Sequence, residues 1–230
     1  MRRRGFLVSL CALCVCRQVP FAAAPQREEF RGCALERGLG SLSDTTARSG
    51  NVQLDRAMIA EVKKVDRIFG INPGYRFLRD GDRPNAYATE ESQVTGTSGT
   101  ILFGLTLMQS ELRTEYGGAA MAGIAAHEGA HIFQFNTNDI RQRLNGPTQV
   151  RMELHADFMA GYYFARTKRT ERSLVTFAES LFAKGDYQFN ERGHHGTPDQ
   201  RVASMRAGYG SLELDLLQAA NRGVQHVTNV

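Results

Sequence analysis

One pentapeptide constrains this chain more than any other feature: His127-Glu128-Gly129-Ala130-His131, the pattern H-E-x-x-H. Positions four apart on an α-helix lie on one face, one turn above the other. The two imidazoles can therefore reach a single metal ion, with Glu128 beside them. Zn²⁺ suits such a site. It binds neutral imidazole nitrogens and keeps a position for water, and a neighbouring carboxylate can take that water's proton. The preceding residues, Ala119 to Ala126, are rich in helix formers and free of charge, so they predict a helix through the motif. A stretch this apolar is expected to be buried, and its histidines and Glu128 with it. Buried charge requires a partner or a metal. The alternative is two core histidines and a glutamate sharing a helix by coincidence, and a third ligand decides against it.

Glu153-Leu154-His155-Ala156-Asp157 supplies candidates. Glu153 and Asp157 are four apart, on one face of a second expected helix. Phe158, Met159, Tyr162 and Tyr163 make that helix too apolar for a solvated acidic face. Zinc in hydrolases usually takes three protein ligands. A ligating histidine also needs its other ring nitrogen held by an acceptor, commonly a carboxylate. Glu153 is therefore read as the third metal ligand and Asp157 as the acceptor that orients one histidine. His155 is the rival ligand, on a different face from Asp157.

Together, His127-Glu-x-x-His131 and Glu153-x-x-Ala156-Asp157 resemble the gluzincin zinc metallopeptidases, most closely the HtpX and CAAX-prenyl-protease type. Three further pieces agree over roughly residues 52–207: Pro84–Ala88, the strand Thr100–Leu105 ahead of the motif helix, and His195-Gly196-Thr197-Pro198-Asp199-Gln200-Arg201. The last is similar to that family's H-P…E-R segment, with Gly196-Thr197 inserted. Gln134 and Thr137 stand where the metzincin pattern has glycine and histidine, which excludes that pattern. The resemblance implies a zincin-like domain, one Zn²⁺ per chain, and a polypeptide substrate that is extended or unfolded and pairs along the edge of Thr100–Leu105. A core strand is the alternative reading of that segment. Peptide hydrolysis also needs a donor for the developing oxyanion. His195 is the candidate donor, and Arg201 the residue that orients it or the substrate backbone. Tyr162 and Tyr163 come next.

Hydrophobic spacing completes the outline. Leu54, Met58, Val62, Val65 and Phe69 repeat at three and four between Asn51 and Gly70, which predicts a capped helix. Tyr75–Phe77, Pro84–Ala88 and Thr100–Leu105 predict a sheet of three or four strands. Helices are expected at Met108–Tyr116, through the motif, at Asp139–Leu144, Val150–Arg166 and Glu171–Lys184, from Pro198, and at Leu212–Asn221. The fold class is α+β, mostly helical, with one domain over residues 51–230 preceded by a linker or pro-like segment at 25–50.

The first 24 residues are expected to be a signal peptide. Arg2-Arg3-Arg4 precede an apolar run from Gly5 to Cys16, too short to span a bilayer comfortably, and Ala22-Ala23-Ala24 offer a cleavage site. Arg3-Arg4-Gly5-Phe6-Leu7 also fits a twin-arginine signal. The leader holds the whole charge excess. Without Arg2, Arg3, Arg4 and Arg17 the chain's 28 basic residues fall to 24, equal to its 24 acidic residues. The basic pI is therefore no sign of a nucleic-acid surface. No later stretch of about 18 apolar residues predicts a transmembrane helix.

The combined expectation is an exported zinc endopeptidase, periplasmic or secreted, with Glu128 as general base. A membrane anchor formed by an uncleaved leader is the alternative location. A metal-bound chaperone-like or scaffold module without turnover is the alternative function. N-terminal sequencing of protein recovered from the envelope fraction checks the leader: a start near Pro25 is expected, and a cytoplasmic chain beginning at Met1 contradicts it.

Overall fold

The computed structural model describes residues 32–34, 44–82, 84–167, 170–184 and 195–228. The signal-peptide expectation falls on residues 1–24, outside this set. The elements in chain order are β1 (Gly32–Ala34), β2 (Thr45–Thr46), α1 (Val52–Phe69), β3 (Gly74–Leu78), β4 (Ala86–Thr89), β5 (Thr100–Gly104), α2 (Leu105–Glu111), α3 (Gly117–Asn136), α4 (Asn138–Leu144), α5 (Val150–Arg166), α6 (Glu171–Lys184), α7 (Pro198–Tyr209) and α8 (Leu216–Thr228). The class is α+β, as the sequence predicts.

The sheet runs β1-β4-β5-β3-β2. β3 and β5 are parallel, and the other pairings are antiparallel. Three strands of four or five residues form its body. The two very short edge strands come from the segment read as a linker, so part of residues 25–50 belongs to the sheet. One expectation fails. Thr100–Leu105 offers no edge to an extended peptide, because β5 is bonded to β4 on one side and to β3 on the other, and all its residues are buried. Leu105 already belongs to α2. The even run of apolar side chains on both faces of β5 is the mark of a central strand.

Local chemistry sets the helix ends. The Asn51 side chain accepts from the N–H groups of Gln53 and Leu54 at 3.0 and 3.1 Å, and Gly70 closes α1 in the left-handed region at φ 62°. The N-cap of α2 is Gly104, which has no side chain to offer. Asp80 caps it from the β3–β4 loop instead, accepting from Thr106 N and Leu107 N at 2.7 and 3.0 Å. The last helix begins at Leu216 rather than Leu212. Asp215 and Gln218 cap each other's backbone N–H there, at 2.8 and 3.1 Å.

Helix α3 is buried on nearly every side. It lies against α5, α1, α6 and β4. Helix α5 is its main partner, and α7 packs on α5. Two glycines let α5 and α7 approach backbone to backbone. A Cβ on Gly161 would sit 1.9 Å from Met205 O, and one on Gly208 would sit 1.8 Å from Phe158 O. This close approach brings Arg201 of α7 to Asp157, one turn before Gly161 on α5. No helix among the described residues is long and apolar enough to cross a membrane.

The glycine contact is testable against a control. Gly161→Ala adds an atom where backbone already stands, and the expected loss is about 3 kcal/mol or more, the upper range for overpacking. Gly118→Ala in α3 meets nothing within 4 Å, so the better helix propensity of alanine should give up to about 1 kcal/mol of stabilisation. Urea unfolding of both variants measures the two signs. An unchanged midpoint for Gly161→Ala contradicts the packing described.

Candidate metal centre

Helix α3 presents His127 and His131 on one face, and α5 brings Glu153 across to them. His127 Nε2 and His131 Nε2 are 3.1 Å apart. His127 Nε2 lies 3.3 Å from Glu153 Oε2, and His131 Nε2 lies 3.4 Å from Glu153 Oε1. All three residues are buried. Two donor atoms bound to one Zn²⁺ at the usual distance, with a tetrahedral angle, lie about 3.3 Å apart. The spacing of this group thus fits a small cation, and the three residues could hold a metal ion.

Charge gives a second test of fit. Glu128, Glu153 and Asp157 bring three buried carboxylates, and Arg201 brings one buried guanidinium. With neutral imidazoles the ionised cluster carries a net charge of −2, which one divalent cation balances. Unbalanced charge of that size is costly away from water. A third observation concerns Glu128, whose Oε2 is buried with no hydrogen-bond partner among the described residues. Burial pushes its carboxyl pKa up, only partly offset by His127 and His131.

Further residues hold this group in place. Asp157 Oδ1 accepts from His127 Nδ1 at 2.8 Å, which leaves the Nε2 lone pair for a metal. Arg201 holds Asp157 in turn, donating from Nε to Oδ2 at 2.8 Å and from Nη2 to Oδ1 at 2.9 Å. Burial pushes Asp157 up, but Arg201 and then His127 outweigh it and hold the carboxyl below its usual range. Glu153 follows the same pattern. Burial raises it, and the imidazoles of His131 and His127 bring it well below an ordinary glutamate.

His131 has a different partner, Gln134 Oε1 at 2.8 Å. The sequence reading missed this residue. Its signal was a glutamine one turn past His131 in an apolar helix. His155 is not among the ligands. Its Nδ1 faces Gln134 Nε2 at 3.0 Å and its Nε2 faces Ala220 O at 3.0 Å. Burial lowers its pKa to about 4, against the opposing effect of that carbonyl, so it is neutral at physiological pH.

The structure gathers His127, Glu128, His131, Glu153, Asp157 and Arg201 into one cluster. Arg201 lies on Asp157, with Nη2 4.0 Å from Glu153 Oε2, and this defines its place behind the ligands. His195 is buried in the turn ahead of α7. The inserted Gly196-Thr197 has a local reason. Gly196 adopts φ 92°, and a Cβ there would stand 2.8 Å from Leu154 Cδ2. Thr197 is the N-cap, bonded reciprocally with Gln200. This turn therefore seats against the residue next to Glu153. Tyr162 and Tyr163 are not drawn to the cluster: their hydroxyls donate to Leu214 O at 2.9 Å and Glu61 Oε1 at 2.5 Å.

A cleft of about 1030 Å³ is lined by residues that include Glu90, Glu91, Phe135, Arg141, Gln149 and Met152, and by none of the six cluster residues. The Phe135 ring stacks on His131, with centroids 6.3 Å apart. No protein-family model, curated protein or solved structure matches this chain.

The charge state of the cluster leads to a prediction. Burial lowers the His127 pKa, but Asp157 and Glu153 outweigh it and raise it to about 10 in the metal-free protein. His127 is then protonated at pH 7, and a metal requires its lone pair. Adding zinc at pH 7 should expel about one proton from this ring, and affinity should rise with pH toward the raised pKa. Titration calorimetry in buffers of different ionisation enthalpy counts the protons. Metal uptake with no proton release and no pH dependence contradicts this charge state.

Proposed function

We propose that the protein is a zinc-dependent endopeptidase with a zincin-like domain of the gluzincin type. It acts on extended or unfolded polypeptides of the exported or envelope compartment. The observation that carries this reading is Glu128, a buried carboxylate beside two imidazoles and a second carboxylate, with one oxygen that meets no hydrogen-bond partner among the described residues. A scaffold built around a metal needs the ligands but not this group.

His127, His131 and Glu153 are the residues that would hold Zn²⁺. The bound ion supplies Lewis acidity toward the scissile carbonyl and acidifies a water. Glu128 acts as general base: its carboxylate takes the water's proton and afterwards delivers it to the leaving amine. In the metal-free protein burial raises its pKa, which makes its carboxylate a stronger base toward that water. Asp157 keeps His127 in the metal-binding tautomer, and Arg201 keeps Asp157 ionised and in place. His195, in the turn beside Leu154, is the candidate donor to the oxyanion that forms when the water adds.

Glu128→Gln keeps the size of the side chain and removes the base. Zinc content by elemental analysis should stay near that of the wild type, and hydrolysis of an unfolded protein such as casein should fall by about 10²–10⁴-fold. A Glu128→Gln enzyme that cleaves at the normal rate eliminates this mechanism. A wild-type protein that holds zinc and cleaves nothing favours the scaffold.

A further inference from the structure

Two backbone carbonyls, Met152 O and Ala220 O, set the hydrogen-bond directions around Gln134 and His155. A carbonyl oxygen can only accept. Met152 O lies 2.9 Å from one end of the Gln134 amide, so that end is the NH₂ group. Its second N–H faces His155 Nδ1 at 3.0 Å, so Nδ1 must accept and the His155 proton sits on Nε2. Nε2 in turn faces the second carbonyl, Ala220 O of α8, at 3.0 Å, and donates to it. The other end of the amide, Oε1, then faces His131 Nδ1 at 2.8 Å and must accept. His131 therefore carries its proton on Nδ1 and directs the Nε2 lone pair toward Glu153 and His127. Each donor along this chain meets an acceptor. Turning the amide over would set Gln134 Oε1 against Met152 O.

We infer that Gln134 and His155 are positioning residues of the metal centre. They transmit the seat of the C-terminal helix α8 to the tautomer and orientation of His131, and so to metal affinity. The inference rests on reading the cluster as a zinc site. Its members are fully buried. Helix α8 fits closely at this point, since a Cβ on Gly223 would stand 3.0 Å from both His155 Cδ2 and Phe158 Cδ1. The two ligand histidines are thus held in different ways. His127 has an ionised acceptor backed by Arg201, whereas His131 has a neutral amide backed by a neutral ring. A second carboxylate behind His131 would take the cluster one charge beyond what a divalent ion balances.

Zinc dissociation constants from competition with a chromophoric chelator test the relay, with thermal unfolding of the metal-free proteins as a folding control. Gln134→Leu and His155→Leu should each weaken zinc binding by about 10–100-fold, the usual effect of losing an outer-shell partner. The double variant should be no weaker than the worse single variant by more than about threefold, because both changes cut one chain. His155→Gln, which can still accept from Gln134 and donate to Ala220 O, should restore affinity to within about threefold of wild type, since both relay bonds survive.

Singles that bind zinc like wild type, or effects that multiply in the double variant as separate packing defects do, overturn the relay while leaving the zinc site intact. A wild type without zinc affinity overturns both. If the leucine variants do not fold, ¹⁵N spectra of the wild-type zinc form still decide. Protonated His131 Nδ1 and His155 Nε2 are expected, and the opposite tautomer of either ring removes the relay.

Discussion

Asp157 is the group on which the rest of the site leans. Its two oxygens meet one imidazole and both arms of a guanidinium, all out of water. Removing one partner from such a buried pair costs roughly 3–5 kcal/mol, because the other charge is left without compensation. The pair exists only because α5 and α7 touch backbone to backbone at Gly161 and Gly208. Helix geometry, charge balance and ligand orientation are therefore one problem here. A methyl group on either glycine would meet the backbone of the other helix.

The cluster also explains why the most polar group of side chains sits in the most apolar helix. Helix α3 can be buried on nearly every side because its histidines face Asp157 and Glu153 of α5 and Gln134 of its own next turn rather than solvent. The α8 carbonyl behind His155 extends this polar core to the end of the described chain. One Glu128 oxygen in this core meets no hydrogen-bond partner among the described residues.

Much of this was legible in the sequence, because it depended on spacing. Four-residue intervals gave the two helical faces, Asn51 and Gly70 gave the ends of α1, and the apolar run gave β5. What the sequence could not show was direction across space. Thr100–Gly104 reads as a strand, but only its neighbours reveal that both edges are used. Arg201 reads as a cation near the site, but only the α5–α7 contact turns it onto Asp157. Gln134 reads as the absence of a metzincin glycine, while its amide joins α3 to α5. The reciprocal Asp215–Gln218 cap was present in the sequence and would have set the start of α8.

The central claim is that two imidazoles and one glutamate carboxylate hold a zinc ion. X-ray absorption at the zinc edge, on protein purified with one equivalent of zinc, tests it most directly. The account predicts a first shell of nitrogen and oxygen at about 2.0–2.2 Å with two imidazole signatures. A sulfur shell at about 2.3 Å, or zinc held with no imidazole scattering, would contradict it.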